Sequence, residues 1–212
     1  MEPVLIARAT VDEPALSLVQ PRDWHGRNIE YVEASSSNLG IRDDLDRVHS
    51  PAVKNTILRA VQETVEIEGP ISIDRLARNV ARRFGFDRVA AARRDFVLQS
   101  VPEELIERSE ALGDFVWPKE LDRGTWRGFR RTPSDLARPL SDVAPEEIIN
   151  AMMSVCARAG QPDYDSLLRQ TLTVFNQKRL TGPTRERLEA VIDLGIRRGR
   201  LIKIGETYRA GS

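Results

Sequence analysis

The residues with the most chemical reach in this chain are its arginines and lysines. Arg88, Arg93 and Arg94 form one group. Lys178, Arg179, Arg185 and Arg187 form a second, and Arg197, Arg198, Arg200 and Lys203 a third. A guanidinium presents a rigid fork of donors that meets a phosphate or a guanine edge through two bonds at once. Between residues 169 and 203, nine Lys/Arg stand against only Glu186, Glu189 and Asp193. A further set, Trp126, Arg127, Phe129, Arg130 and Arg131, interleaves rings with cations. Such a stretch can grip phosphates while its rings stack on bases. The favoured reading is a linker whose Trp126 and Phe129 pack against both repeats. Basic helix faces are also often simply solvated, so residue type leaves both readings open.

Covalent or hydrolytic chemistry finds no such footing. There is no phosphate-cradling glycine loop, paired CxxC, HExxH or nucleophile elbow. His25 and His49 lie far apart in an irregular stretch, which suits surface or packing roles. Cys156, the single cysteine, falls on an apolar helical face and reads as inert core. Glu103-Glu104 and Glu146-Glu147 are adjacent pairs, and neighbours on a helix do not face one another. The chain by itself is expected not to be an enzyme and to need no cofactor or metal, and no small-molecule ligand is evident.

The elements that must carry the basic residues come in two copies. A shift of 91 residues brings Ile57 onto Ile148, Gly69 onto Gly160, Asp74 onto Asp165, Leu76 onto Leu167, Phe84 onto Phe175 and Arg88 onto Arg179. One extra residue then aligns Gly113-Asp114 with Gly205-Glu206. The repeat is too long for a solenoid unit and long enough for a small domain of about 70 residues.

In the first copy, Ser50-Pro51 opens a helix with Val53, Ile57, Leu58, Val61 and Val65 at helical spacing. Gly69-Pro70 stops it, and Ile71-Ser72-Ile73 is a short extended piece. Ser72 or Asp74 caps a second helix over Leu76, Ala77, Val80 and Phe84. A third helix follows with Val89, Phe96, Val97, Val101 and Leu105 as its stripe, kinked or ended by Pro102 near Val101. Gly113-Asp114 between apolar residues predicts a hairpin turn. The second copy repeats the order, with strands on either side of Gly205-Glu206.

Three helices and a β-hairpin, with a short strand after the first helix, is the winged-helix order. The expected fold class is therefore mainly α with small β-hairpins (α+β), a tandem duplication of two winged-helix, helix-turn-helix domains. Two generic α+β bundles would use the same elements. The expected divisions are an irregular N-terminal arm at 1–48, a first repeat at 49–120, a basic and aromatic linker at 121–141, and a second repeat at 142–212. Val4-Leu5-Ile6 reads as a short strand within the arm.

Composition sets the outer limits. Hydrophobic content of 41% and charged content of 30% suit a globular chain. Net charge is zero, with 32 basic and 32 acidic residues, which argues against a strongly basic nucleic-acid coat protein. No apolar run approaches the roughly 20 residues of a membrane span. No secretory signal is visible, so a cytoplasmic setting is expected.

A family likeness sits on particular words of the sequence. They are Val65-Glu66-Ile67-Glu68-Gly69-Pro70-Ile71-Ser72-Ile73-Asp74-Arg75-Leu76-Ala77-Arg78 with Phe84-Gly85, then Phe115-Val116-Trp117-Pro118, Phe129-Arg130-Arg131 and Val143-Ala144-Pro145-Glu146-Glu147-Ile148. In this order and spacing, over roughly residues 50–209, the chain resembles an uncharacterised domain that closes certain very large bacterial proteins. In those proteins it follows a superfamily I helicase core and a Vsr-like nuclease module. The resemblance implies a DNA-processing setting, such as restriction or phage defence. It supplies no catalytic residues, because the helicase and nuclease motifs belong to other domains.

The functional expectation is a non-catalytic accessory module that binds DNA beside helicase and nuclease domains. The alternatives are a protein-docking module of the same machinery or a free-standing transcriptional regulator. A recognition helix and wing would place Arg88, Arg93 and Arg94 in the first copy, and Lys178, Arg179, Arg185, Arg187, Arg197, Arg200 and Lys203 in the second, towards the duplex. Glu103, Glu104, Glu107 and Glu110 crowd the first copy's wing and favour the second as the DNA-facing one.

Overall fold

The computed structural model describes residues 27–46 and 50–211. The Val4-Leu5-Ile6 strand and the roles of His25 and His49 fall outside these residues. The described chain is mixed α and β, with seven α-helices and three small sheets.

The first unit is built from α2 (Pro51–Glu68), β2 (Ile71–Ser72), α3 (Ile73–Arg82), α4 (Ala91–Leu98), β3 (Ile106–Glu107) and β4 (Phe115–Val116). Pro51 opens α2 where a missing N–H costs nothing. The Ser72 side chain caps α3 by accepting from the Arg75 amide, so Ser72 and not Asp74 is the cap. Ile57, Val61, Leu76, Val80, Phe84 and Val97 close on one core, joined by Leu45 from the short α1 (Arg42–Asp46).

The second unit follows the same order with α5 (Pro145–Ala159), α6 (Tyr164–Val174), α7 (Gly182–Arg197), β6 (Leu201–Ile204) and β7 (Thr207–Ala210). Asp163 caps α6, at the position matching Ser72, and Thr181 caps α7. In the first unit Ser72 pairs with Phe115; in the second, Asp163 bridges Thr207. The bridge between the second strand of each hairpin and the residue that caps the next helix thus recurs. Phe84 and Phe175 are both buried.

The units differ at the third helix and hairpin. The α4 helix is half as long as α7, 8 residues against 16. Pro102 prevents continuation, and a 3-10 turn at Glu103–Leu105 leads into β3. In the second unit, Gly205-Glu206 is the expected two-residue turn, with Ile204 opposite Thr207 and Gly205 at φ 58°. The expected turn at Gly113-Asp114 is not formed. There Glu107 pairs with Phe115 across a longer loop. The loop reverses earlier, closed by the Gly113 amide on the Ser109 carbonyl, and the Asp114 carboxylate accepts from the Ser109 amide at 3.0 Å. A side chain that spans the loop has replaced tight-turn geometry.

Among the described residues, the segment before α2 is not wholly irregular. The strand β1 (Arg27–Glu30) runs parallel to β5 (Phe129–Arg131) in the linker, and the Tyr31 amide extends the pairing to the Arg131 carbonyl. Linker and arm together fill the seam between the units.

Candidate functional site

Two sets of side chains matter for function: a buried ionic junction at the seam and the basic residues around α7. The junction is formed by residues distant in sequence. Glu68 ends α2 fully buried. It accepts from Arg75 Nε at 2.8 Å, Asn79 Nδ2 at 2.8 Å and the Ala34 amide at 2.9 Å, and the Tyr31 hydroxyl donates to it. Arg75 also pairs with Glu33 and lies 3.6 Å from Asp142. Asp142 in turn takes Arg78 at 2.9 Å and the Ser72 hydroxyl.

Beside this lies Glu147, on α5. It accepts five hydrogen bonds, from the Arg130 amide, Nε and Nη2 and from both terminal nitrogens of Arg138. The rest of the Arg130 fork donates to the carbonyls of Glu68, Gly69 and Pro70. One guanidinium therefore ties the end of α2 to the start of α5. The Tyr31 ring lies against Arg75, Arg130 and Arg138, closest to Arg138 at 4.1 Å.

The electrostatics follow from burial and charge. Burial acts to raise the Glu147 carboxyl, but the Arg130 and Arg138 charges outweigh it and hold the group down at about 2. Burial, with Glu68 beside it, pushes the Tyr31 phenol well above its ordinary value. Burial also pushes the Cys156 thiol up to about 11. Among the described residues no group of three or more His, Cys, Asp or Glu could hold a metal ion, and no helix is long and apolar enough to cross a membrane.

The linker's rings pack inside the fold, as the favoured of the two readings has it, and the candidate phosphate contact at Arg130 is corrected. Trp126 is buried edge-on against Trp117, with ring centroids 5.8 Å apart. Phe129 belongs to the second unit's core, and Arg130 is fully buried on Glu147. None of the three is placed to stack on a base or meet a phosphate, because each is already buried within the fold. Only Arg127 and Arg131 of that set are exposed.

The α7 region sorts its cations in the same way. Lys178 and Arg179 are exposed on the turn between α6 and α7, with no ion pair among the described residues. Arg197 is exposed at the end of α7, and Lys203 is exposed on β6, its ammonium 6.0 Å from the Tyr208 ring centroid. Arg185 stays near the surface, 3.9 Å from Asp165 and 3.4 Å from the Tyr164 hydroxyl. Two expected contacts are corrected. Arg187 turns inward and donates to the carbonyls of Leu112 and Val143 at 2.8 Å, bridging both units. Arg200 is buried against Asn150 and the Trp126 carbonyl. Burial pushes each down to about 10.

The outward residues of α7 include Glu186, Glu189 and Asp193 at helical spacing, so much of its exposed face is acidic. In the first unit Arg88 is exposed, Arg93 lies over the Phe86 ring at 4.3 Å, and Arg94 is held by Asp74 at 2.7 Å.

Sequence reading missed Glu68, Glu147, Asp142 and Arg138 as a cluster. A signal existed for Glu147: it lies four and eight residues before Ala151 and Val155, on the buried stripe of α5. No comparable signal pairs it with Arg130.

No curated protein and no solved structure matches the chain. The family described as "Protein of unknown function (DUF3320)" matches residues 46–95, which cover α2, α3 and the first half of α4, so the first unit is similar to an uncharacterised domain.

Proposed function

We propose that the chain is a non-catalytic accessory module of two winged-helix units held as a rigid tandem, and that its second unit contacts DNA weakly through the phosphate backbone. The recurring order of helices, capping strand and hairpin supports the winged-helix reading. The resemblance to domains that follow helicase and nuclease modules supports a DNA-processing setting, with those domains as its partners.

The observation that carries the DNA contact is the exposure of Lys178 and Arg179, with no ion pair among the described residues, on the turn that leads into α7. Lys203 on the wing adds a third exposed cation. Insertion of α7 into a major groove is disfavoured, because Glu186, Glu189 and Asp193 would approach phosphates. Contact is therefore confined to turn and wing and carries no base reading.

Fluorescence anisotropy on duplex and single-stranded oligonucleotides across a salt series tests this. Affinity should fall in the non-specific range, with Kd on the order of 10⁻⁴–10⁻⁶ M at physiological salt. Two or three phosphate contacts give a log–log salt slope of roughly −2 to −3. Lys178→Glu with Arg179→Glu should abolish binding while leaving the fold intact. No binding at low salt, or binding unchanged by that double variant, would sink the proposal. The acidic row on α7 would then favour the second reading, docking to a basic protein surface.

A further inference from the structure

Between the two units lies a cleft of about 460 Å³. Its walls include Ser72, Asp74, Arg78 and Arg94 from the first unit, the loop around Gly113, and Asp142 and Arg187 from the second. Ion pairing in this cleft is uneven. Arg78 is matched by Asp142 at 2.9 Å and Arg94 by Asp74 at 2.7 Å. Asp114, also on the wall, is taken by Arg108 at 3.2 Å.

Arg187 has no carboxylate within ion-pair distance among the described residues. It spends two of its five N–H donors on the Leu112 and Val143 carbonyls, and its Nε is buried with no partner. The guanidinium is half-buried and bonded to neutral carbonyls, so its charge is left to be met from the cleft by its terminal nitrogens. Nearby Asp142 gives partial compensation, but that carboxylate is already engaged by Arg78 and Ser72 and approached by Arg75.

We propose that this cleft is an oxyanion site of the phosphate class, in which Arg187 supplies the unmatched charge and Arg94 and Arg78 stand at the walls. Its residues do not include Lys178 or Arg179, so it is independent of DNA contact by the α6–α7 turn. The carboxylates of Asp74 and Asp142 limit its strength and select against highly charged polyanions. A single phosphate, free or terminal, fits this balance.

The test uses the full chain. Thermal unfolding is followed while inorganic phosphate is titrated at constant ionic strength against chloride. A saturable rise in Tm is expected with phosphate and with sulfate, and none with chloride. Amide shifts at Asp74, Gly113 and Ser141 in ¹⁵N spectra should move with the same saturation. Arg187→Gln should remove the response. If that variant does not fold, Arg94→Gln decides instead: it leaves Asp74 uncompensated on the wall and should weaken the response at least tenfold. An oligonucleotide carrying a 5′-phosphate, compared with one lacking it, separates a nucleic-acid end from free phosphate as the source. Lys178→Glu with Arg179→Glu should leave the phosphate response intact, so failure here and failure of DNA binding are distinguishable. An unsaturable or chloride-like response, or one unchanged in folded Arg187→Gln or Arg94→Gln, overturns the assignment.

Discussion

Glu147→Gln is the most informative single perturbation of the seam. Glu147 and its partners Arg130 and Arg138 are almost wholly buried. Glutamine keeps the size but removes the charge and turns an amide group towards guanidinium donors. Arg130 would keep its three carbonyl partners at 68–70, whereas Arg138 would keep little beyond the Tyr31 ring. Breaking a buried pair in this way costs about 3–5 kcal/mol. The depressed carboxyl gives a similar figure: a drop from the ordinary 4.5 to about 2 corresponds to about 3 kcal/mol of stabilisation. With a urea slope of about 2 kcal/mol/M, the midpoint should fall by roughly 2 M at neutral pH.

The same group fixes the pH dependence. Its folded value lies below its unfolded value, so its stabilisation is complete above about pH 4.5 and is lost as pH falls through about 2. At about pH 3 the gap between native protein and variant should shrink to less than half. Urea melts of both proteins at neutral and acid pH measure this. A neutral-pH gap below about 1 kcal/mol, or one that does not narrow in acid, would refute the view that this ion cluster holds the two units together.

Three further outcomes are expected. Phe84→Ala and Phe175→Ala should each cost about 3–5 kcal/mol in urea unfolding, because both rings are buried at matching core positions; a cost confined to one of them would break the equivalence of the units. Cys156 should resist iodoacetamide in the native protein at mildly alkaline pH and label readily in urea, read by mass spectrometry, since burial keeps its thiol protonated. The purified chain should show neither ATP hydrolysis nor metal-dependent nuclease activity; turnover that survives purification and disappears on mutating a residue of this chain would overturn the accessory role.

Local structure was readable from residue order. The stripe of α2, the proline opening at Pro51 and the Gly205-Glu206 turn depend on neighbours within a few positions, and the same neighbours narrowed the α3 cap to Ser72 or Asp74. The first hairpin was misread because Gly113-Asp114 has the composition of a tight turn. Asp114 instead reaches back to Ser109 and Arg108, contacts that composition does not reveal.

What the sequence determined by itself was the order of helices and strands in each unit, the first hairpin's turn excepted, and the spacing of the two phenylalanines, because periodicity and most turn chemistry are local. Only the tertiary structure decided the fate of each arginine. Arg185 and Arg187 are two residues apart on one helix, yet the first stays near solvent and the second bridges two units. Arg130 and Arg131 are adjacent on one strand, and only the first is buried on Glu147. A long charged side chain can end in water or in a pocket at similar local cost. Which end it takes is set by carboxylates and carbonyls that folding brings from 17 to 75 residues away.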